Sequence, residues 1–200
     1  MKWILQGQEQ EVNKNIDDIK KAFQIVEEQY KQQNLFIDYL EVDGMQVYDN
    51  FEGYLFEQDA QKVDFHFATI ELLQIELVKS IRDYLGQARS VVRDLADSLY
   101  RTPDQQLWKD FELFIEALEW LQSAILKLIS SSNEEDLNNF AEIHTNLSEK
   151  IEELDHALTD TDIILVADLI KYEILQIFDS MKEQCDIFIK QKEVAYDVRK

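Results

Sequence analysis

Beyond residue 69, apolar residues recur at alternating steps of three and four, the repeat of a helix with one buried face. From Asp104 to Ile129 the stripe runs Leu107, Phe111, Phe114, Leu118, Leu121, Ile125 and Leu128, and Trp108, Ile115, Trp120 and Ile129 widen it beyond a coiled-coil seam. Leu137, Phe140, His144, Leu147, Ile151, Leu154 and Leu158 repeat the pattern, and Ile70–Leu99 and Ile163–Phe188 carry it too. The breaks at residues 100–103, 130–134 and 159–161 are short, and such loops force consecutive helices to lie antiparallel. Polar caps mark the starts: Thr102-Pro103, then Ser132-Asn133 ahead of Glu134, Glu135 and Asp136, then Thr159-Asp160-Thr161-Asp162. The pattern predicts an antiparallel up-down four-helix bundle over residues 69–200.

Residues 1–68 follow other rules, and three of the four glycines, Gly7, Gly44 and Gly53, lie there. Lys2–Leu5 reads as a short strand. Ile16, Ile19, Phe23, Val26 and Tyr30 give Asn15–Gln32 a helical period, with Asp17 and Asp18 in the first turn. Leu35–Val42 and Met45–Tyr48 flank Asp43-Gly44, a dipeptide suited to the positive φ angles of a tight hairpin. Asn50–Gln58 reads as a short helix, and Val63–Ala68 alternates like a strand. The expected fold class is α+β, mostly α, with a small α+β layer at residues 1–68 ahead of the bundle. A layer that small has a marginal core of its own.

Charge narrows the function. The chain carries 41 acidic against 20 basic residues, a net charge of −21, split as −8 over residues 1–68 and −13 over the remainder. Such a surface repels phosphate backbones and anionic headgroups, so no nucleic acid and no membrane surface is expected as a partner. Ten acids stand against Lys150 alone between Glu134 and Asp162, a solvated face or a docking surface for a basic protein. The longest apolar run, Ile163–Ala167, is too short to span a bilayer, and no secretory signal opens the chain. The expected location is the cytoplasm.

Catalytic constellations are hard to find. No phosphate-binding glycine loop, nucleophile elbow or His-Glu-x-x-His motif occurs, and no cofactor is expected. Cys185 lies in helical register with Met181 and Phe188, where a thiol acts as a small buried hydrophobe. A di-iron bundle needs two inward Glu-x-x-His pairs, and only Glu153-Leu-Asp-His156 has that spacing. His144 interrupts an apolar seam, as a half-buried neutral imidazole bonded to a neighbouring helix or as a pH-sensitive contact. His66 falls opposite Phe65 and Phe67, on the surface side of its strand. Asp168 and Lys171 interrupt the last apolar run, as an i,i+3 pair, a hydrogen bond to Tyr172, or a polar anchor for a partner.

The expected function is that of a non-catalytic protein acting through protein–protein contacts, in an adaptor or assembly role. His144, Asp168, Lys171, Trp108 and Trp120 are the candidate interaction or packing residues. The extra aromatic width at Trp108, Phe114 and Trp120 calls for a covering surface, supplied by the small layer or by a second copy of the chain in a homodimer. Two alternatives stand beside this. One is a chaperone for a secreted or flagellar substrate, on composition alone. The other is a metal-dependent enzyme of the bundle, drawing ligands from His144, His156, Glu149, Glu152 and Glu153.

Overall fold

The computed structural model describes residues 1–101, 104–131 and 137–198, with side chains through residue 192. The chain separates into two compact units, Met1–Leu73 and the residues from Gln74 onward. It is mostly helical, with a mixed five-stranded sheet in the first unit and helices after it. The Thr102-Pro103 and Ser132–Asp136 caps lie outside the described residues.

The first unit contains β1 (Lys2–Leu5), β2 (Gln8–Glu11), α1 (Ile16–Lys31), β3 (Phe36–Val42), β4 (Met45–Val47), α2 (Phe51–Glu57) and β5 (Lys62–Ala68). The sheet order is β2-β1-β5-β3-β4, with β1 parallel to β5 and the other neighbours antiparallel. Alternation along the strands sends Trp3 and Leu5, Leu40 and Val42, and Val63 and Phe65 into one core, which Ile19, Phe23 and Val26 of α1 and Leu55 of α2 complete. The Asn15 side chain caps α1, accepting from the Asp18 amide at 2.9 Å. The strand β2, absent from the sequence expectation, is exposed throughout and reads Gln-Glu-Gln-Glu. It is reached through Gln6 and Gly7, with φ of 49° and 83°. With neither face buried, β2 has no hydrophobic alternation to display.

The hairpin between β3 and β4 turns at Asp43 and Gly44, both at positive φ (49° and 89°). Asp43 has a second task. Its carboxylate accepts from the Lys62 amide at 2.8 Å and the Gln61 amide at 3.0 Å, tying the hairpin to the start of β5. Asp43→Ala leaves both donors without that acceptor and lowers stability by about 1–2 kcal/mol, read as a shifted midpoint in urea unfolding.

The second unit contains α3 (Ile70–Leu99, beginning just ahead of the boundary), α4 (Gln105–Ser130), α5 (Asn138–Thr159), α6 (Ile163–Asp168), a π-helical segment (Leu169–Ile174) and α7 (Leu175–Val198). Asp104 caps α4 by accepting from the Leu107 amide at 2.8 Å, and Asp162 caps α6 from the Leu165 amide at 3.0 Å. One core joins all of these helices, with Ile81, Leu85, Leu118, Leu121, Ile125, Leu147, Leu154, Ile174 and Phe178 at its centre. The expected helical run over Ile163–Phe188 is present without interruption but passes through the π-helical segment, across which Leu169, Ile170, Ile174 and Leu175 are all buried. A π turn takes in one extra residue and so shifts the register of the helix beyond it.

Contacts between helices fix their directions. Gln74 of α3 donates to Ser131 after α4 at 2.7 Å, and Tyr84 meets Trp120 edge-on with ring centroids 5.3 Å apart, so α3 and α4 run oppositely. Asn139 of α5 donates to Gln184 of α7 at 3.0 Å, and Phe140 packs on Phe188 at 5.9 Å. Polar pairs join α3 and the residue after it, Tyr100, to the last helical run, among them Arg89–Asp179, Asp97–Lys171 and Tyr100–Asp168. Residue numbers rise on one partner as they fall on the other, which makes this pair antiparallel as well.

Candidate functional site

Between α3 and α4 runs an open groove of about 480 Å³. Tyr84, Ala88, Val91, Val92 and Leu95 line one wall, and Leu107, Leu113 and Phe114 the other. Its floor belongs to the core, since Val92, Leu95 and Phe114 are buried. Its rims do not: Val91 is 65% and Leu113 63% exposed. Val91 and Leu113 both leave aliphatic surface in water beside the buried floor.

The groove has two unlike ends. The Tyr84–Trp120 contact stands at one, with Trp120 41% exposed. At the other, Asp94 and Ser98 of α3 face Leu107 and Asp110 of α4. Asp94 and Asp110 are the only charged residues in the lining, among the described residues. Asp110 accepts from Gln106 at 2.9 Å. The α3 cations Arg82 and Arg89 are engaged elsewhere, with Asp83 (2.7 Å) and Asp179 (2.5 and 2.7 Å).

The candidates named from the sequence are scattered over the helical unit. Trp120 meets the groove residue Tyr84 edge-on; Trp108, 37% exposed, packs edge-on against Phe111 at 5.8 Å. Asp168 and Lys171 do not pair with each other. Asp168 accepts from the Tyr100 hydroxyl just past α3, and Lys171 donates to Asp97 of α3 at 2.6 Å, so both reach across to that end of the helix. The Asp168 hydrogen bond, with burial second, keeps the Tyr100 hydroxyl protonated well above the ordinary tyrosine range. The Lys171 ammonium also lies over the Tyr100 and Tyr172 rings, 5.3 and 5.6 Å from their centroids.

His144 is not the seam residue of α5. Ile143 takes that place, 6% exposed, and His144 lies half-buried beside it with no side-chain hydrogen bond among the described residues. Phe140 to Leu147 can be stepped as three then four through Ile143, or as four then three through His144, and burying isoleucine avoids desolvating an imidazole. His66 also departs from its surface assignment. It is half-buried and stacked on Tyr39 at 4.2 Å, with Tyr48 5.5 Å beyond. His156 is exposed, while Glu153 of the same spacing receives Lys150 at 2.9 and 3.0 Å. Among the described residues, no group of three or more His, Cys, Asp or Glu side chains is placed to hold a metal ion. No described helix is long and apolar enough to cross a membrane.

Cys185 is fully buried in α7, and burial, the largest influence, pushes its thiol up to about 12. The native thiol therefore reacts orders of magnitude more slowly with a disulfide reagent at pH 8 than the denatured one, because the thiolate is the nucleophile. Stability also becomes pH-dependent. The unfolded thiol ionises near its ordinary value of 9.0 while the folded one holds its proton to about 12, so this contribution to stability is complete below pH 9 and drains away between the two values. Cys185→Ala makes the alkaline slope of a pH series of unfolding midpoints shallower, leaving the part that the raised Tyr100 hydroxyl contributes.

A family model for a domain of unknown function, DUF8042, matches residues 76–184. That is more than half of the chain, and it takes in every residue lining the groove. The chain belongs to the DUF8042 family. The sheet unit lies ahead of the match, so the DUF8042 portion is the helical one. No curated protein and no solved structure matches the chain.

The two rim residues are not among the candidates that the sequence singles out. Val91 follows the helical stripe only as the neighbour of Val92, and Leu113 stands between Phe111 and Phe114. An apolar residue just off an already complete stripe is the signal that marks them, the same widening seen at Trp108 and Trp120.

Proposed function

We propose that the chain is a non-catalytic protein-binding module of the cytoplasm. In this reading the helical unit is an antiparallel up-down four-helix bundle, counting α6, the π-helical segment and α7 as one run. The α3/α4 groove is its docking surface. The observation that carries the reading is the groove itself: a mostly apolar lining, interrupted by Gln87, Asp94, Ser98 and Asp110, with Val91 and Leu113 standing exposed on its rims. The opposed α3–α4 and α3–α7 contacts support the bundle, because they hold both groove walls on a fixed core. The lining offers apolar surface and two carboxylates, the composition of a recognition surface with a polar edge. A net charge of −21 favours a partner of opposite sign and raises its rate of encounter.

The test is capture from native cell lysate on three immobilised proteins: the wild-type chain, Leu113→Glu, and Glu152→Lys on the exposed side of α5. A partner retained by the wild type and Glu152→Lys but lost with Leu113→Glu supports the reading. The same proteins recovered on all three would overturn it.

A further inference from the structure

We infer that the occupant of the α3/α4 groove is an amphipathic α-helix of a partner protein, with Lys or Arg at the end that lies against Asp94 and Asp110. The inference rests on the docking reading and adds the partner's conformation and polarity.

Backbone chemistry selects the helix. Both walls are α-helices, whose own N–H and C=O groups are paired internally, so the groove has no free strand edge to offer an extended peptide. An extended segment lying there would bring its backbone donors and acceptors against Val91, Val92, Leu95, Leu113 and Phe114 without partners. A helix satisfies its own backbone and presents only side chains. Shape agrees. From Tyr84 to Ser98 the α3 wall extends about 20 Å at 1.5 Å per residue, the length of about four helical turns. The α4 lining, Leu107 to Phe114, covers about 10 Å of that length, so a partner helix would meet both walls over about two turns and keep its other face solvated.

Charge complementarity sets the polarity. Asp94 and Asp110 both line the half of the groove nearer Ser98 and Leu107, and no cationic side chain lines it, among the described residues. A cation on the partner's end turn gains both carboxylates there, while an acidic residue would meet two like charges. A second copy of this chain fits poorly, since two bodies of charge −21 repel as they approach.

The test uses a display library of random peptides of about 20 residues, enough to cover the groove with flanks. It is selected on the full-length chain and counter-selected on Leu113→Glu and Val91→Glu, each checked for native helicity. The expected winners carry apolar residues at steps of three and four with Lys or Arg at one end. A synthetic winner gains helical circular dichroism on binding, and its affinity falls about tenfold in the Asp94→Lys/Asp110→Lys double variant and falls again at high salt. Winners that are proline-interrupted, non-helical when bound, or acidic at that end would overturn the helix inference while leaving the groove as a docking site. Failure to enrich any peptide that prefers the wild type over both rim variants would overturn the docking reading as well.

Discussion

Leu113→Glu weakens partner binding by roughly 100-fold or more, the loss expected when an apolar contact that a partner would bury is replaced by a charge. The same substitution changes folding stability by less than about 0.5 kcal/mol, because surface substitutions away from special features rarely do more. The separation comes from where the side chain stands. Leu113 is 63% exposed on the rim, so the folded chain gives up little contact when it is replaced. A bound partner would have to desolvate the new carboxylate against apolar side chains, close to Asp110. Leu118 is the contrast. It is 1% exposed on the same helix, and Leu118→Ala costs about 2–5 kcal/mol of stability by leaving a cavity. Binding titrations paired with urea unfolding for the two variants check both halves. Equal stability losses would place Leu113 in the core and remove it as a docking residue.

Trp3→Ala unfolds the sheet unit. Trp3 is fully buried, edge-on to Phe23 at 5.1 Å and tilted against Phe65 at 4.8 Å, so it joins β1, α1 and β5. Truncating a buried tryptophan to alanine costs about 3–5 kcal/mol, a large share of the stability that a unit of this size can hold. The expected result is loss of amide-exchange protection in β1, β3 and β5 with protection retained in α3, α4 and α7. Trp3→Phe is far milder, since the ring volume is largely kept and the indole N–H has no hydrogen-bond partner among the described residues. Protection unchanged in the sheet of Trp3→Ala would contradict this account of its core.

What the sequence disclosed depended on whether burial left a periodic trace. The α1 stripe, the Asp43-Gly44 hairpin and the long helices could be located because each has one buried face or a turn that demands positive φ. The edge strand β2 has neither face buried, and Gln-Glu-Gln-Glu carries no such trace. The π-helical segment was equally silent, because its apolar doublets Leu169-Ile170 and Ile174-Leu175 suit an α-helix as well. At Ile143 and His144 the spacing allowed both registers, and desolvation decided between them. Asp168 and Lys171 were recognisable as polar interruptions, but their partners Tyr100 and Asp97 lie about seventy residues back. Local spacing pointed to each other or to Tyr172, and only the antiparallel packing of α3 on the last run supplies the partners found. The groove stayed hidden for a related reason. Its walls come from two helices, and neither helix alone shows that Val91 and Leu113 border one groove.

The most direct test of the central claim places a benzophenone amino acid at position 113, and in a second protein at exposed Ile164 on α6, then irradiates living cells. The account predicts a discrete adduct between position 113 and a different protein, absent from the chain labelled at position 164. Adducts at 164 with none at 113, or adducts at 113 only to a second copy of the chain, would contradict it.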